Sequence, residues 1–369
     1  MKFIKFMLQM LLGAVLGFFS IWMMLDYFQF NVSFFSIVLL VVFFIISHYL
    51  AIIVHESGHV IAGKRKGMEF YFFLLGPLFI YKDDKQKRHI TFQSHGLKLA
   101  GAASLRADIH ETRAPLEKQV YSFILGGGLA NILVGMISLI SAFAFSSMFL
   151  FIFSLINLFV GPMNLLMKES PDFIPDGGVL HQLKHDPTKK EVLLVTHLIH
   201  ATVRTSIHEW PKNLVERAEK ALLSEQYTIH SASLASALSY YYIVKEESQQ
   251  AKALLQPFVK AAPTKKTRSF IWNHLDVLYL ISCYLLNQKT EEWDTIKGRI
   301  VIRDDLTRDK LAFLQFAWQS DFKQAEEQVD NANQLCEEWS FLYGNGKFEK
   351  ELLDTLKIHL KKRKKAHSS

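Results

Sequence analysis

Apolar positions in this chain are massed before Leu166, and the positions after it alternate with charge. From Ser33 to Val54 the residues run SFFSIVLLVVFFIISHYLAIIV, with no formal charge. A run of about 20 such residues matches the hydrocarbon thickness of a bilayer and predicts a transmembrane helix. The same criterion predicts four spanning helices, at roughly 5–27, 34–63, 119–143 and 145–167. The first, preceded by Lys2 and Lys5, is longer than a secretory h-region and is followed by no Ala-x-Ala-like site. It reads as a retained helix, with cleavage as the alternative.

Between the second and third spans, Glu69–Tyr81 (EFYFFLLGPLFIY) is broken by the turn signal Gly76-Pro77, and His89–Leu99 is a second strand region. These residues predict a hairpin at the membrane surface, the alternative being an interfacial apolar loop. Beyond His181 the period becomes helical. Segments 188–205, 212–224, 231–259, 269–299 and 307–336 carry apolar residues three and four apart. Within them, Tyr240–Leu255, Ser282–Lys297 and Leu314–Val329 resemble one another. Each runs from aromatic or small residues through a polar turn into a second helix near Ala251, Trp293 or Ala325. Their offsets, 42 and then 32 residues, are irregular, so a tetratricopeptide-like array and an unrelated all-helical bundle both stay open.

The expected fold is thus a polytopic α-helical membrane protein with a small membrane-surface β element and an all-α C-terminal domain. The divisions fall at 1–32, 33–185 and 186–369. Composition agrees with two parts. At 50% hydrophobic, with 30 Phe and a mean hydropathy of +0.13, the chain is too apolar for a soluble protein and too charged for membrane throughout. The placement of the +7 net charge matters more than its size. The connection from Asp26 to Val32 has no Lys or Arg, and Ser141–Ser147 is uncharged. The connection after the second span begins Lys64-Arg65-Lys66 and continues through Lys82, Lys85, Lys87, Arg88, Lys98, Arg106 and Arg113. By the positive-inside rule that loop and both termini face the cytoplasm, with a bacterial plasma membrane expected. The basic tail Lys361–Lys365 reads as a solvated helix end, or else as a contact with anionic lipid. Nothing calls for a nucleic-acid partner. Cys283 and Cys336 have no metal-ligand spacing and suggest a reducing compartment without disulfides.

The chemistry concentrates in His55-Glu56-Ser57-Gly58-His59, at the end of the second span. Histidines at i and i+4 share a helical face about 6 Å apart, so both imidazoles can hold one zinc ion. Glu56 then sits where it can take a proton from a water that the metal activates. Ionisable residues at membrane depth mark function. A third ligand is needed, and Asp176, in Pro175-Asp176-Gly177-Gly178 just after the fourth span, is the best candidate. It is delivered to the side of the membrane where the two histidines lie. His48 shares the face of His55 and reads as a packed or cavity-lining residue. His89, His95, His110, His181 and His185 read as surface or loop residues.

HExxH in a membrane helix, a later glycine-rich helix with an Asn, and a downstream Asp-Gly resemble the site-2 protease family of intramembrane zinc metalloproteases. The resemblance covers about 34–185. It implies one zinc held by His55, His59 and Asp176, with Glu56 as general base. Gly127-Gly128-Leu129-Ala130-Asn131 resembles the family's Gly-Pro-x-x-Asn element, whose Asn orients substrate or intermediate, so Asn131 is implied as catalytic. The family's surface sheet, which holds substrate as an added strand, would correspond to Glu69–Leu99. Three departures stand out. Gly128 replaces Pro, Asn164 and Pro171 are spread seven apart, and Pro175 replaces a Leu. The implied activity is cleavage of a membrane-associated protein or peptide near the cytoplasmic face, in regulated proteolysis. The helical domain would select substrates or bind a cytosolic regulator. Maturation of soluble peptide precursors and a non-proteolytic scaffold are the alternatives.

Overall fold

The computed structural model describes residues 17–82, 87–92, 101–166, 174–202, 205–223, 227–262, 270–289, 291–302, 304–339 and 346–368. Among these, three helices are long and apolar enough to cross a membrane: α2 (Phe34–Arg65), α3 (Leu116–Ala144) and α4 (Met148–Leu166). The predicted first span is represented by a short apolar helix, α1 (Gly17–Asp26), and the rest of it lies outside the described residues.

Ser33 starts α2 by accepting the Ser36 N–H at 3.2 Å. Its 32 residues span about 48 Å at the usual rise, longer than a hydrocarbon core. Its N-terminal side chains point outward, with Phe34 86% and Phe35 74% exposed, as a lipid-facing surface requires. The helix ends at Lys64-Arg65. There Gly67, at φ +101°, turns the chain, and the Met68 N–H donates back to the Gly63 carbonyl at 3.1 Å. The chain then runs back along α2 as β1 (Glu69–Leu75). It reverses at Gly76-Pro77 into β2 (Leu78–Lys82), and β3 (Arg88–Phe92) follows. Tyr49 anchors the hairpin tip by donating its hydroxyl to the Leu75 carbonyl at 3.0 Å.

The fourth strand, β4 (Gly101–Arg106), has no counterpart in the sequence reading. It pairs antiparallel with β1, giving the order β3-β2-β1-β4 with β4 at the edge against α2. The predicted second strand region is observed as Arg88–Phe92, and Leu99 lies outside the described residues.

Helices α3 and α4 form a hairpin through Ser146, at φ 47°, with the Ser147 N–H bonded to the Ala142 carbonyl at 2.9 Å. α2 crosses α3 where Gly58 meets Gly126. A Cβ on Gly58 would sit 2.4 Å from the Gly126 oxygen, so only glycine permits this approach.

The C-terminal half is helical, from α5 (Asp176–His185) and α6 (Pro187–Ala201) through α7 (Lys212–Leu223). The three longest predicted segments each divide at the expected polar turn into two helices: α8 (Ile229–Val244) and α9 (Ser248–Ala261), α10 (Phe270–Leu285) and α11 (Trp293–Arg299), α12 (Asp305–Trp318) and α13 (Phe322–Trp339). Each break contains a left-handed residue: Glu246, Asn287 or Ser320, at φ 63°, 54° and 61°. After each, an N–H reaches back over the last turn, from Glu247 to Tyr242, Gln288 to Cys283 and Asp321 to Phe316. A last helix, α14 (Gly346–Ser368), lies beyond the predicted segments. Its stripe Phe348, Leu352, Leu356 and Leu360 is buried, and its basic end is tied to the domain, with Arg363 5.2 Å from the rings of both Tyr284 and Trp318.

The division at 186 falls before a shared helix. Val192, Val195 and Ile199 of α6 belong to the large C-terminal core. Leu193 and Leu194 pack with Leu116, Val120 and Val179 of α3 and α5.

Inside the C-terminal core, Lys310 is 1% exposed and meets Glu349 at 2.8 and 3.0 Å. Tyr240 also donates to that carboxylate, at 2.5 Å. Burial works to raise the Glu349 carboxyl, but Lys310, His274 and the Tyr240 hydroxyl together outweigh it and hold the group below its ordinary value. Removing one member strands a buried charge. Lys310→Met is expected to cost about 3–5 kcal/mol, and Lys310→Met/Glu349→Leu to recover most of it. Urea unfolding of the detergent-purified chain, followed by tryptophan fluorescence, measures both.

Candidate metal centre

α2 presents His55 and His59 one turn apart, with ring centroids 4.7 Å apart and planes at 89°. Their Nε2 atoms lie 3.1 Å from each other. The Oδ2 atom of Asp176 lies 3.2 Å from His55 Nε2 and 3.5 Å from His59 Nε2. Among the described residues this is the only trio of His, Cys, Asp or Glu placed to share a metal ion.

The hydrogen bonds around the trio fix its character. His55 Nδ1 is 2.8 Å from Asn131 Oδ1, and His59 Nδ1 is 2.7 Å from the Phe123 carbonyl oxygen. Both partners only accept, so each Nδ1 carries the proton and each Nε2 offers a lone pair. Asp176 Oδ2 is buried and has no hydrogen-bond donor. Three acceptors therefore face one another with no proton to share, an arrangement that costs energy unless a cation lies between them. Ligands about 2.1 Å from one tetrahedral centre lie about 3.4 Å apart, close to the spacings here. Two imidazoles and one carboxylate suit zinc and leave a fourth position for water.

Neighbouring elements hold the trio in place. Gly127 of α3 passes along the metal-facing edge of the histidines, where a Cβ would sit 2.4 Å from His59 Nε2. Asp176 opens α5, placed there by Pro175 in extended backbone. The Gly177 that follows is buried, and a Cβ on it would meet the Leu165 carbonyl at 2.0 Å, so it lets α5 press onto the end of α4. The stretch before Pro175, including Pro171, lies outside the described residues.

Asn131 is wholly buried. Its amide nitrogen donates to the Ala51 carbonyl at 3.0 Å and to Asn157 Oδ1 at 2.8 Å, which fixes its oxygen towards His55. It sits behind the Nδ1 edge of the ring, opposite Nε2, as a positioning residue that also ties three helices together. Asn157 in turn donates to the Phe153 carbonyl at 2.8 Å. Sequence reasoning missed Asn157, although an Asn in an apolar helix is itself a signal.

On the other side of α2, β4 meets Glu56. Gly101 lies against Ile52 and the Glu56 side chain, and the Ala103 backbone N–H bonds the carboxylate. The strand beside the candidate base is therefore β4, outside the expected 69–99. His48 stays apart, exposed and stacked on Phe44 with centroids 6.4 Å apart. His89 is half-buried against Tyr81, and the exposed rings of His181 and His185 lie tilted against each other along α5. His110 is exposed, and His95 lies outside the described residues.

In comparisons with known proteins, the chain matches no family model, no curated protein and no solved structure.

Outer partners of metal-binding histidines commonly govern affinity by 10–100-fold. Asn131→Leu removes the acceptor for His55 Nδ1–H and is expected to weaken zinc binding by about that factor. Competition with a chromogenic chelator reads this directly, and Asn131→Gln should recover part of it.

Proposed function

We propose that the chain is an intramembrane zinc endopeptidase similar to the site-2 protease family. It would cut a membrane-associated protein or peptide near the cytoplasmic face. The observation that carries the reading is the convergence of two imidazole Nε2 atoms and an unpartnered buried carboxylate oxygen within 3.1–3.5 Å, one residue from Glu56.

His55, His59 and Asp176 hold one zinc. When bound, the zinc supplies Lewis-acid activation of a water and of the scissile carbonyl. Glu56 accepts the proton of the attacking water and passes it to the leaving amide nitrogen. The Ala103 N–H orients the Glu56 carboxylate, and Asn131, steadied by Asn157, keeps His55 in the tautomer that leaves Nε2 free. A helix in lipid hides its amides in internal bonds, so a substrate must unwind before attack. The edge strand β4, which begins beside Glu56, is positioned to take the unwound segment as an added strand.

The surroundings follow from this reading. α1 belongs to a fourth span, and both termini face the cytoplasm of a bacterial cell. The three capped hairpins from α8 to α13 form a tetratricopeptide-like array that selects substrates or binds a cytosolic regulator.

Glu56→Gln tests the chemistry. Wild type and variant should each carry about one zinc, with cleavage of a transmembrane-stem substrate about 10²–10⁴-fold slower in the variant. Zinc in neither protein would overturn the reading. Lys87→Cys tests the orientation: in intact cells an impermeant thiol reagent should leave it unlabelled, and ready labelling would invert the topology.

A further inference from the structure

The connection after α2 builds a cavity of about 870 Å³ that lies apart from the metal centre. Among the described residues, five cations line it: Lys64 from the last turn of α2, Lys82 of β2, Arg88 of β3, Arg106 of β4 and Arg113. Two carboxylates, Glu69 and Asp108, line it too. Asp108 is already engaged, accepting the N–H groups of His110 at 3.0 Å and Thr112 at 2.8 Å as well as the Thr112 hydroxyl. Positive charge is therefore in excess around a concave space, which favours an anion.

The sheet shows which anion. In the β2–β3 register Lys82 pairs with Arg88, Ile80 with Ile90 and Leu78 with Phe92, so these six side chains share one face. That face is cationic at the cavity and apolar towards the hairpin tip. Ile90 is 66% and Phe92 79% exposed. The direction matches α2, whose apolar run ends where Lys64 reaches the cavity, while the hairpin tip lies back at Tyr49. Charge stands where α2 leaves the apolar layer, and uncovered apolar side chains stand beneath it. A soluble phosphate would use the first feature and leave the second unexplained.

We propose that this cavity binds the phosphate headgroup of an anionic phospholipid, with its acyl chains lying over Ile90 and Phe92. The site rests on α2 crossing the bilayer and is independent of the proteolytic reading.

Native mass spectrometry of the full chain, released from micelles containing equal phosphatidylglycerol and phosphatidylcholine, tests it. Wild type should retain phosphatidylglycerol preferentially, and Arg88→Ala/Arg113→Ala should lose about tenfold or more of that retention, two surface cations being removed. Arg88→Lys/Arg113→Lys, which keeps the charge, should retain most of it. Lys361→Ala/Lys362→Ala on α14 should change nothing. Millimolar inorganic phosphate should not displace the lipid. Equal retention of the two lipids, or undiminished retention by an alanine variant that keeps the wild-type unfolding temperature, would overturn the proposal. So would release by inorganic phosphate, which would mark a site for a soluble anion. If the alanine pair unfolds early, Ile90→Ser/Phe92→Ser takes its place, and unchanged lipid retention in that variant would equally overturn the proposal.

Discussion

Two imidazole nitrogens and a carboxylate oxygen turn their lone pairs toward one point, and the helices around them are arranged so that none can turn away. The Nδ1 protons are committed to Asn131 and to the Phe123 carbonyl, so neither ring can flip without losing a buried hydrogen bond. Gly127 leaves room at the Nε2 edge of the rings, and the Gly58–Gly126 crossing brings α3 close enough for both bonds to form. Pro175 and Gly177 set α5 against the end of α4, so Asp176 cannot retreat. Much of the packing among α2, α3, α4 and α5 follows from keeping three mutually repelling acceptors together.

How much of this was legible in the sequence depended on how local each feature is. HESGH could be read whole, because i and i+4 on a helix fix their own geometry. Asp176 required a tertiary inference over more than a hundred residues, and only its place after a predicted span supported it. Asn131 was legible as a residue of interest, but its relation to His55 Nδ1 was not, since an amide in a membrane helix satisfies either packing or ligand orientation. The strand β4 was illegible. Its Gly-Ala-Ala-Ser-Leu-Arg sequence has little alternation or β-branching, and its place is set by β1 and α2 rather than by its own preference.

The helical half was legible down to its divisions. The second helices near Ala251, Trp293 and Ala325 are found, but the turning residues were not legible, because Glu246, Asn287 and Ser320 take the left-handed position that glycine usually marks. The backbone bonds beyond each cap, and the apolar side chains that continue on both sides, fix the turn without a breaker residue. The same geometry at Ser146 closes the α3–α4 hairpin, so one device serves both halves of the chain.

Helix α6 has two apolar faces and no free one, since each is already claimed by a different core. A rotation or slide of that helix would expose apolar surface on one side while overpacking the other. The chain therefore behaves less like two bodies on a tether than like two rooms sharing a wall. A load taken up by the C-terminal helices passes through α6 to Leu116 and Val179, and so to the two helices that carry Asn131 and Asp176.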